Sequence, residues 1–312
     1  MAATDPKAQL AINTTTLPIR PGRNIHVKQW NNTVSEDAAV PATQHASRRA
    51  SLRTFFNPLG GTLLFVHGSC ASVDQFESLI NELGPFLKKK NFMAEGFDAY
   101  GCGQSDKPKV KEAYAEEELQ EDLKAVFSKA KHPTTNFIIG HSYGTSQVIK
   151  LYNSLSSEEQ RCVKGIVLLS GSLPGTNGGH PIFILPSMIL EFLQGWMSSN
   201  FRKAAFHPKA SEELLALAEA RSNQNPMYMC KYFYEQTKWA TFEEVKAVNC
   251  KALIVHGDSD RILNIEAGRR LHSAMGAKAS FKVMDEVSHQ VMEEDPMKLA
   301  EILVEFMTEC LK

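Results

Sequence analysis

Gly140-His141-Ser142-Tyr143-Gly144 places a serine between two glycines, where an apolar run ending at Ile139 meets a helix-like stretch from Ser146 to Leu155. A Gly-x-Ser-x-Gly turn between strand and helix holds the serine in a strained bend and presents its hydroxyl at the carboxyl edge of a sheet. Both glycines are needed because the bend brings the backbone close to neighbouring chain, where a side chain would collide. The positive end of the following helix stabilises negative charge that develops beside the serine.

A lone serine hydroxyl is a weak nucleophile at neutral pH, so Ser142 requires a base, itself oriented by an acid, and after such an elbow these follow in the order acid, then histidine. Of the ten histidines, His289 follows the last strand-like run, Ala279 to Met284, and precedes a helix. His141 adjoins the serine but points away from the attacking geometry, and His67 and His256 end strands and read as structural. Two acids, Asp258 and Asp260, follow the buried run Ala252 to His256. Either fits the turn chemistry, although Asp258, directly after Gly257, is well placed to shape the turn through its own backbone. Acyl transfer also needs donors for an oxyanion: the backbone N–H of Tyr143, and one from the His67-Gly68-Ser69-Cys70 loop, for which Ser69 is chosen. His67, Gly68, Gly140 and Gly144 support these turns.

The elements that must position these groups alternate. Apolar runs at Thr62 to Val66, Asn91 to Phe97, Asn136 to Ile139, Gly165 to Leu169, Ala252 to His256 and Ala279 to Met284 are separated by helix-like stretches, Val73 to Lys90 and Ala113 to Lys131 among them, and a closing helix runs from Pro296 to Cys310. Alternating strands and helices mean βαβ units and a mostly parallel sheet. Asn24 to Trp30 alternates like an edge hairpin strand. The rhythm breaks between Pro174 and Val248, a stretch rich in large apolar residues that reads as a helical cap. The expected organisation is an N-terminal extension over 1–23, a core over 24–173 and 249–312, and the cap over 174–248. Asn31 to Pro58 reads as a surface loop, within which Arg48-Arg49-Ala50-Ser51-Leu52 has the form of a basophilic kinase site.

Lys plus Arg (34) nearly cancel Asp plus Glu (35), which argues against a nucleic-acid partner drawn by overall charge. The six cysteines have no CxxC spacing, so neither a metal site nor a disulfide framework is expected, and no cofactor is implied. The N-terminus lacks the apolar core of a signal peptide, and no apolar run reaches the roughly twenty residues of a membrane span, so a cytoplasmic protein is expected. Contact with a membrane surface through the apolar stretch Ile182 to Met197 is compatible with this.

Taken in order, His67-Gly68, Asp98-Ala99-Tyr100-Gly101-Cys102-Gly103-Gln104-Ser105, Gly140 to Gly144, Gly257-Asp258-Ser259-Asp260 and Ser288-His289 resemble the motifs of α/β-hydrolase-fold serine hydrolases. Within that family, Arg20-Pro21-Gly22-Arg23, the Ile139 to Gly144 elbow and Val287 to Met292 look most like the branch represented by α/β-hydrolase domain-containing protein 8. The resemblance implies an α/β-hydrolase fold, a mostly parallel central sheet flanked by helices with an inserted helical cap, and it selects Asp260 as the acid of a Ser142-His289-Asp260 triad. Relatives that transfer acyl groups to lysophospholipids carry His-x-x-x-x-Asp, whereas Glu294 stands at that place here. A serine where related dehalogenases and epoxide hydrolases use aspartate points to cleavage of esters, thioesters or amides. A carboxylic ester or lipid with an apolar part is the expected substrate. The alternatives are an amidase or aminopeptidase using a cap carboxylate from Glu191, Glu212, Glu213, Glu219 or Glu235 to hold an amine, and a non-catalytic ligand-binding receptor.

Overall fold

In a computed structural model, which describes residues 10–31, 60–173 and 181–312, eight strands form one sheet. In chain order they are β1 (Ala11–Arg20), β2 (Arg23–Asn31), β3 (Gly61–Val66), β4 (Phe92–Phe97), β5 (Asn136–His141), β6 (Val163–Leu169), β7 (Lys251–Gly257) and β8 (Ala279–Met284). Across the sheet the order is β1-β2-β4-β3-β5-β6-β7-β8, antiparallel at β1–β2 and β2–β4 and parallel from β4 to β8. Every residue of β3, β4 and β5 is buried, as expected for strands covered on both faces.

One face is covered by α1 (Glu77–Glu82), α2 (Gly84–Lys90) and, at the end of the chain, α11 (Val291–Glu294) and α12 (Pro296–Cys310); the other carries α3 (Glu116–Ala130), α4 (Tyr143–Ser154) and α10 (Ile265–Met275), with the short α5 (Ser157–Cys162) before β6. The stretch from Val73 to Lys90 forms a 3-10 turn over Val73–Phe76 and then two helices instead of one, parted at Leu83, because Pro85 has no N–H to continue the first helix. Two apolar clusters fill the spaces above and below the sheet, one around Phe65, Phe76 and Phe137, the other around Leu64, Ile138 and Ile166.

Residues 11–20, expected to lie in an extension, instead form the edge strand β1 of the same sheet. Its Asn13-Thr14-Thr15-Thr16 run is exposed, so the strand carries no apolar alternation to announce it, only β-branched residues and the hairpin turn at Pro21-Gly22. Arg20 and Arg23 close this hairpin onto α3: Arg23 Nε lies 2.8 Å and Arg20 Nε also 2.8 Å from Asp122 Oδ1.

The insertion between β6 and β7 contains α6 (Ser187–Ala205), α7 (Glu212–Ser222), α8 (Met227–Gln236) and α9 (Phe242–Ala247). The last of these packs on α4 and α10 of the core. Residues 32–59, which hold Ser51 and nearly all of the loop expected from Asn31 to Pro58, and residues 174–180 lie outside the described residues.

Candidate active site

Ser142 sits between β5 and α4 with φ 52° and ψ −121°, the only bent residue in an otherwise regular strand-to-helix passage. Its N–H donates to Leu169 O at 2.8 Å, and its carbonyl accepts from Thr145 N–H at 3.0 Å, so the bend is fastened from both sides. A Cβ on Gly140 would lie 2.5 Å from Gly144 O, and one on Gly144 would lie 2.4 Å from Val66 O. Both contacts are shorter than atoms tolerate, which is why the turn takes glycine at both positions.

Two long-range loops bring the other groups to this edge. His289 lies in the loop after β8, and its Nδ1 is 2.8 Å from Asp260 Oδ2 in the loop after β7. Both are deeply buried, at 2% and 5% exposure. The other Asp260 oxygen accepts the backbone N–H groups of Ile262 at 2.8 Å and Leu263 at 2.9 Å. Burial alone would raise the Asp260 pKa; the charge of His289 and hydrogen bonds from His256, His289 and Leu263 outweigh it and hold the carboxyl well below its ordinary range. Asp258 is exposed and accepts from its neighbour Ser259 Oγ at 2.8 Å.

Several groups outside the expected triad hold this pair, among them His256, which the sequence reads as structural. His256 Nε2 lies 3.2 Å from the same Asp260 oxygen and 2.6 Å from Leu263 O. The His289 carbonyl accepts from Ser170 Oγ at 3.0 Å and lies 3.0 Å from His141 Nε2. Because Gln75 Nε2 can only donate to His141 Nδ1, at 3.2 Å, the His141 proton is on Nε2 and points at His289 O. Burial, reinforced by the nearby His289, pushes the His141 pKa down to about 3, so it remains a neutral donor. Glu294 accepts the N–H groups of His207 at 2.7 Å, Ser288 at 3.0 Å and Gln290 at 3.2 Å, joining the cap to both sides of His289. Ala205 O, at the end of α6, accepts the His289 N–H itself at 3.0 Å.

The loop after β3 faces the elbow. His67 Nδ1 donates to Gly68 O at 2.7 Å, and its Nε2 accepts Ala99 N–H at 2.8 Å, so the ring braces the loop and does no proton work. Cys70, after Ser69, has φ 50°, and its carbonyl accepts from Asn225 Nδ2 at 2.7 Å, a buried amide reaching down from the cap. Tyr143 opens α4, so its N–H is one of the helix's orphan donors. Its side chain turns away: the hydroxyl meets Glu116 and Gln147, and the ring stands edge-on to Phe233 and Trp239.

Ser142, His289, Ser69 and Tyr143 line one cavity of about 670 Å³ whose roof comes from the cap, with Phe183, Met197 and Trp239 among its apolar surfaces. Glu293 also lines it, joined to Arg221 of α7. Burial, only partly offset by Arg221, pushes Glu293 up to about 7, and burial raises Glu294 as well. The folded chain therefore keeps protons that the unfolded chain releases at a lower pH. Their contribution to stability is complete below the ordinary carboxylate pKa and is lost as pH rises through about 7. Thermal melts of a Glu293→Gln variant should accordingly show a flatter decline in Tm from about pH 5 to pH 8 than the parent; an identical slope would show that Glu293 does not titrate there.

The sequence over residues 57–296 matches the Hydrolase_4 family, described as Serine aminopeptidase, S33. Among curated proteins, Protein ABHD8 of Homo sapiens is 28% identical over 251 residues, which make up 78% of this chain and 54% of that one. The chain thus spans about half the length of the ABHD8 proteins it matches. The Uncharacterized hydrolase YugF of Bacillus subtilis (strain 168) is 25% identical over 264 residues, 80% of this chain and 91% of that one. Among solved structures, an esterase (EaEST) from Exiguobacterium antarcticum has a TM-score of 0.74 at 17% identity, covering 95% of this chain and 100% of its own. A thermophilic esterase from Thermogutta terrifontis has a TM-score of 0.68 at 14% identity, covering 97% and 99%. At these identities the structural likeness concerns the fold.

Proposed function

The chain belongs to the Hydrolase_4 family (Serine aminopeptidase, S33) and has the α/β-hydrolase fold, and from that membership we propose that it is a serine hydrolase of carboxylic esters with an apolar acyl or alcohol part. The observation that carries this reading is the buried His289–Asp260 pair, 2.8 Å apart, lining the same cavity as the strained Ser142. Ser142 Oγ attacks the ester carbonyl while His289 Nε2 takes its proton, and Asp260 fixes the ring and offsets its positive charge. The N–H groups of Tyr143 and Ser69 hold the oxyanion. Collapse of the tetrahedral intermediate expels the alcohol, which receives the proton from His289, and a water activated by the same histidine releases the acid.

The lining favours an apolar substrate over an amine, because the carboxylate within it, Glu293, is paired with Arg221. None of the carboxylates considered for amine recognition, Glu191, Glu212, Glu213, Glu219 and Glu235, lines the cavity, and Glu219 and Glu235 are paired with Arg202 and with Lys111 and Lys231. On p-nitrophenyl esters, kcat/KM should rise at least threefold as the acyl chain grows from acetyl to hexanoyl, up to about two-hundred-fold if all four added CH₂ groups are buried, at about 0.8 kcal/mol each. A flat or falling profile, or faster cleavage of aminoacyl arylamides, would contradict the ester reading.

The approach to the cavity supports a lipid source for such esters. Met188, Phe192 and Trp196 recur every four residues along α6, on one side of the helix, and with Ile184 just before it they are 80%, 88%, 63% and 82% exposed. Trp196 also lines the cavity, so this face runs into the site. Among the described residues no helix is long and apolar enough to cross a membrane, and the face is suited to lying on one. The parent should float with neutral phosphatidylcholine vesicles and the Phe192→Glu, Trp196→Glu double variant should not; a parent that stays at the bottom of the gradient would refute the docking.

A further inference from the structure

The cavity is lined by residues with polar atoms that the proposed ester chemistry does not use. Ser198 Oγ, Arg202 Nε and Gln290 Oε1 are buried and, among the described residues, have no hydrogen-bond partner, and all three residues line the cavity. Ser198 and Gln290 are 9% and 8% exposed. A buried polar atom left unpaired is costly, so three on one wall mark a place where a ligand completes the bonding.

Their placement follows from the way the cap is tied down. Ser198 and Arg202 are four residues apart on α6, hence on one face of that helix. The end of α6 is bonded to the catalytic loop through His289 N–H to Ala205 O at 3.0 Å and Ser288 Oγ to Ala204 O at 3.2 Å. Gln290 is the next residue of that loop. A second tie, between Arg221 of α7 and Glu293, closes the same corner.

The chemistry of the three atoms selects the ligand. Arg202 Nε–H donates, Gln290 Oε1 accepts and the Ser198 hydroxyl does either. The neighbouring charges are matched, Arg202 Nη1 lying 2.9 Å from Glu219 and Arg221 meeting Glu293. A carboxylate or phosphate would leave Gln290 Oε1 facing another acceptor, and an ammonium would leave Arg202 Nε facing another donor. An uncharged hydroxyl accepts from Arg202 and donates to Gln290 at once. The corner adjoins His289, which returns its proton to the leaving alkoxide, and so lies on the alcohol side of the ester.

Resting on the ester-hydrolase reading, we propose that Ser198, Arg202 and Gln290 form a subsite for a neutral, hydroxyl-bearing alcohol part of the substrate. The acyl chain then occupies the apolar part of the cavity, and the substrate class is an ester of a diol or polyol.

The test uses the Ser142→Ala protein at pH 8, above the raised Glu293 pKa of about 7, and measures calorimetric binding of three hexanoate esters of similar size. 2-Hydroxyethyl hexanoate should bind about five-fold or more tightly than propyl hexanoate, in keeping with one to two good hydrogen bonds. Adding Gln290→Met, which removes the acceptor of the ligand hydroxyl, should lower that ratio at least two-fold, and adding Ser198→Ala, should the first variant fail to fold, should lower it as well; an unchanged ratio in a folded variant would overturn the subsite. Equal binding of the two esters in the Ser142→Ala protein would overturn the subsite, as would tighter binding of the anionic carboxymethyl hexanoate. Labelling of the parent by a fluorophosphonate is scored separately: its loss would count against the hydrolase reading, whereas the binding ratio judges the subsite whether or not turnover occurs.

Discussion

Replacing Ser142 by alanine is expected to lower kcat on p-nitrophenyl hexanoate by about a million-fold, the scale on which removing the nucleophile of a serine hydrolase acts. The reason is chemical and local. On the proposed mechanism, no acyl-enzyme forms without Oγ, His289 has no proton to take, and the oxyanion donors are left to assist direct attack by water. The fold should withstand the change, because the positive φ of 52° at Ser142 is held by its own N–H bond to Leu169 O and by the glycines on either side, none of which the substitution touches. Circular dichroism and melting temperature should match the parent while steady-state turnover vanishes. A variant that keeps more than a hundredth of the parental kcat would mean that another residue attacks.

The second large effect is expected at Asp260, where asparagine should cost about ten-thousand-fold in kcat with little change in shape. One Asp260 oxygen accepts the N–H groups of Ile262 and Leu263, and an asparagine retains those bonds by turning its carbonyl oxygen towards them. Its amide nitrogen must then face His289 Nδ1, now 2.8 Å from a carboxylate oxygen. A donor there forces Nδ1 to accept, so the imidazole proton moves to Nε2, the atom that has to receive the proton of Ser142. The carboxylate is ionised well below neutral pH, so protonating it is not how the parent loses activity on mild acidification. Kinetics of Asp260→Asn against Asp258→Asn separate the two acids: Asp258 is exposed and bonded to its neighbour, so its amide should cost less than two-fold. Comparable losses for both variants would contradict the assignment.

Much of this site was legible because its chemistry depends on local sequence. An elbow needs glycine at fixed positions, and those at 140 and 144 abut backbone that leaves no room for a Cβ. His289 could be separated from nine other histidines by its place after the last strand. Asp258 and Asp260 could not be separated by turn chemistry, because which of two residues in a tight loop turns inward depends on backbone bonds to Ile262 and Leu263 farther along the chain. His256 read as structural, but the partners of the supports were out of reach for a related reason. Ser170, His141, His256 and Glu294 act mainly on backbone groups that distant segments bring to them, and nothing in a lone serine or glutamate announces a carbonyl or N–H arriving from elsewhere.

In the fold, buried parallel strands were plain as continuous apolar runs, while β1 was missed because an edge strand with an exposed threonine run shows no such run. The orphaned atoms of Ser198, Arg202 and Gln290 were likewise beyond sequence reading, since burial and pairing there depend on the docking of α6 onto the His289 loop.

The most direct measurement is intact-protein and peptide mass spectrometry after treating the full chain with a fluorophosphonate. A single adduct located on Ser142, absent from the Ser142→Ala variant and suppressed in Asp260→Asn, is the expected result. A well-folded parent that takes up no adduct, or takes it up at a residue other than Ser142, would contradict the serine-hydrolase reading and favour a receptor that has kept the fold without turnover.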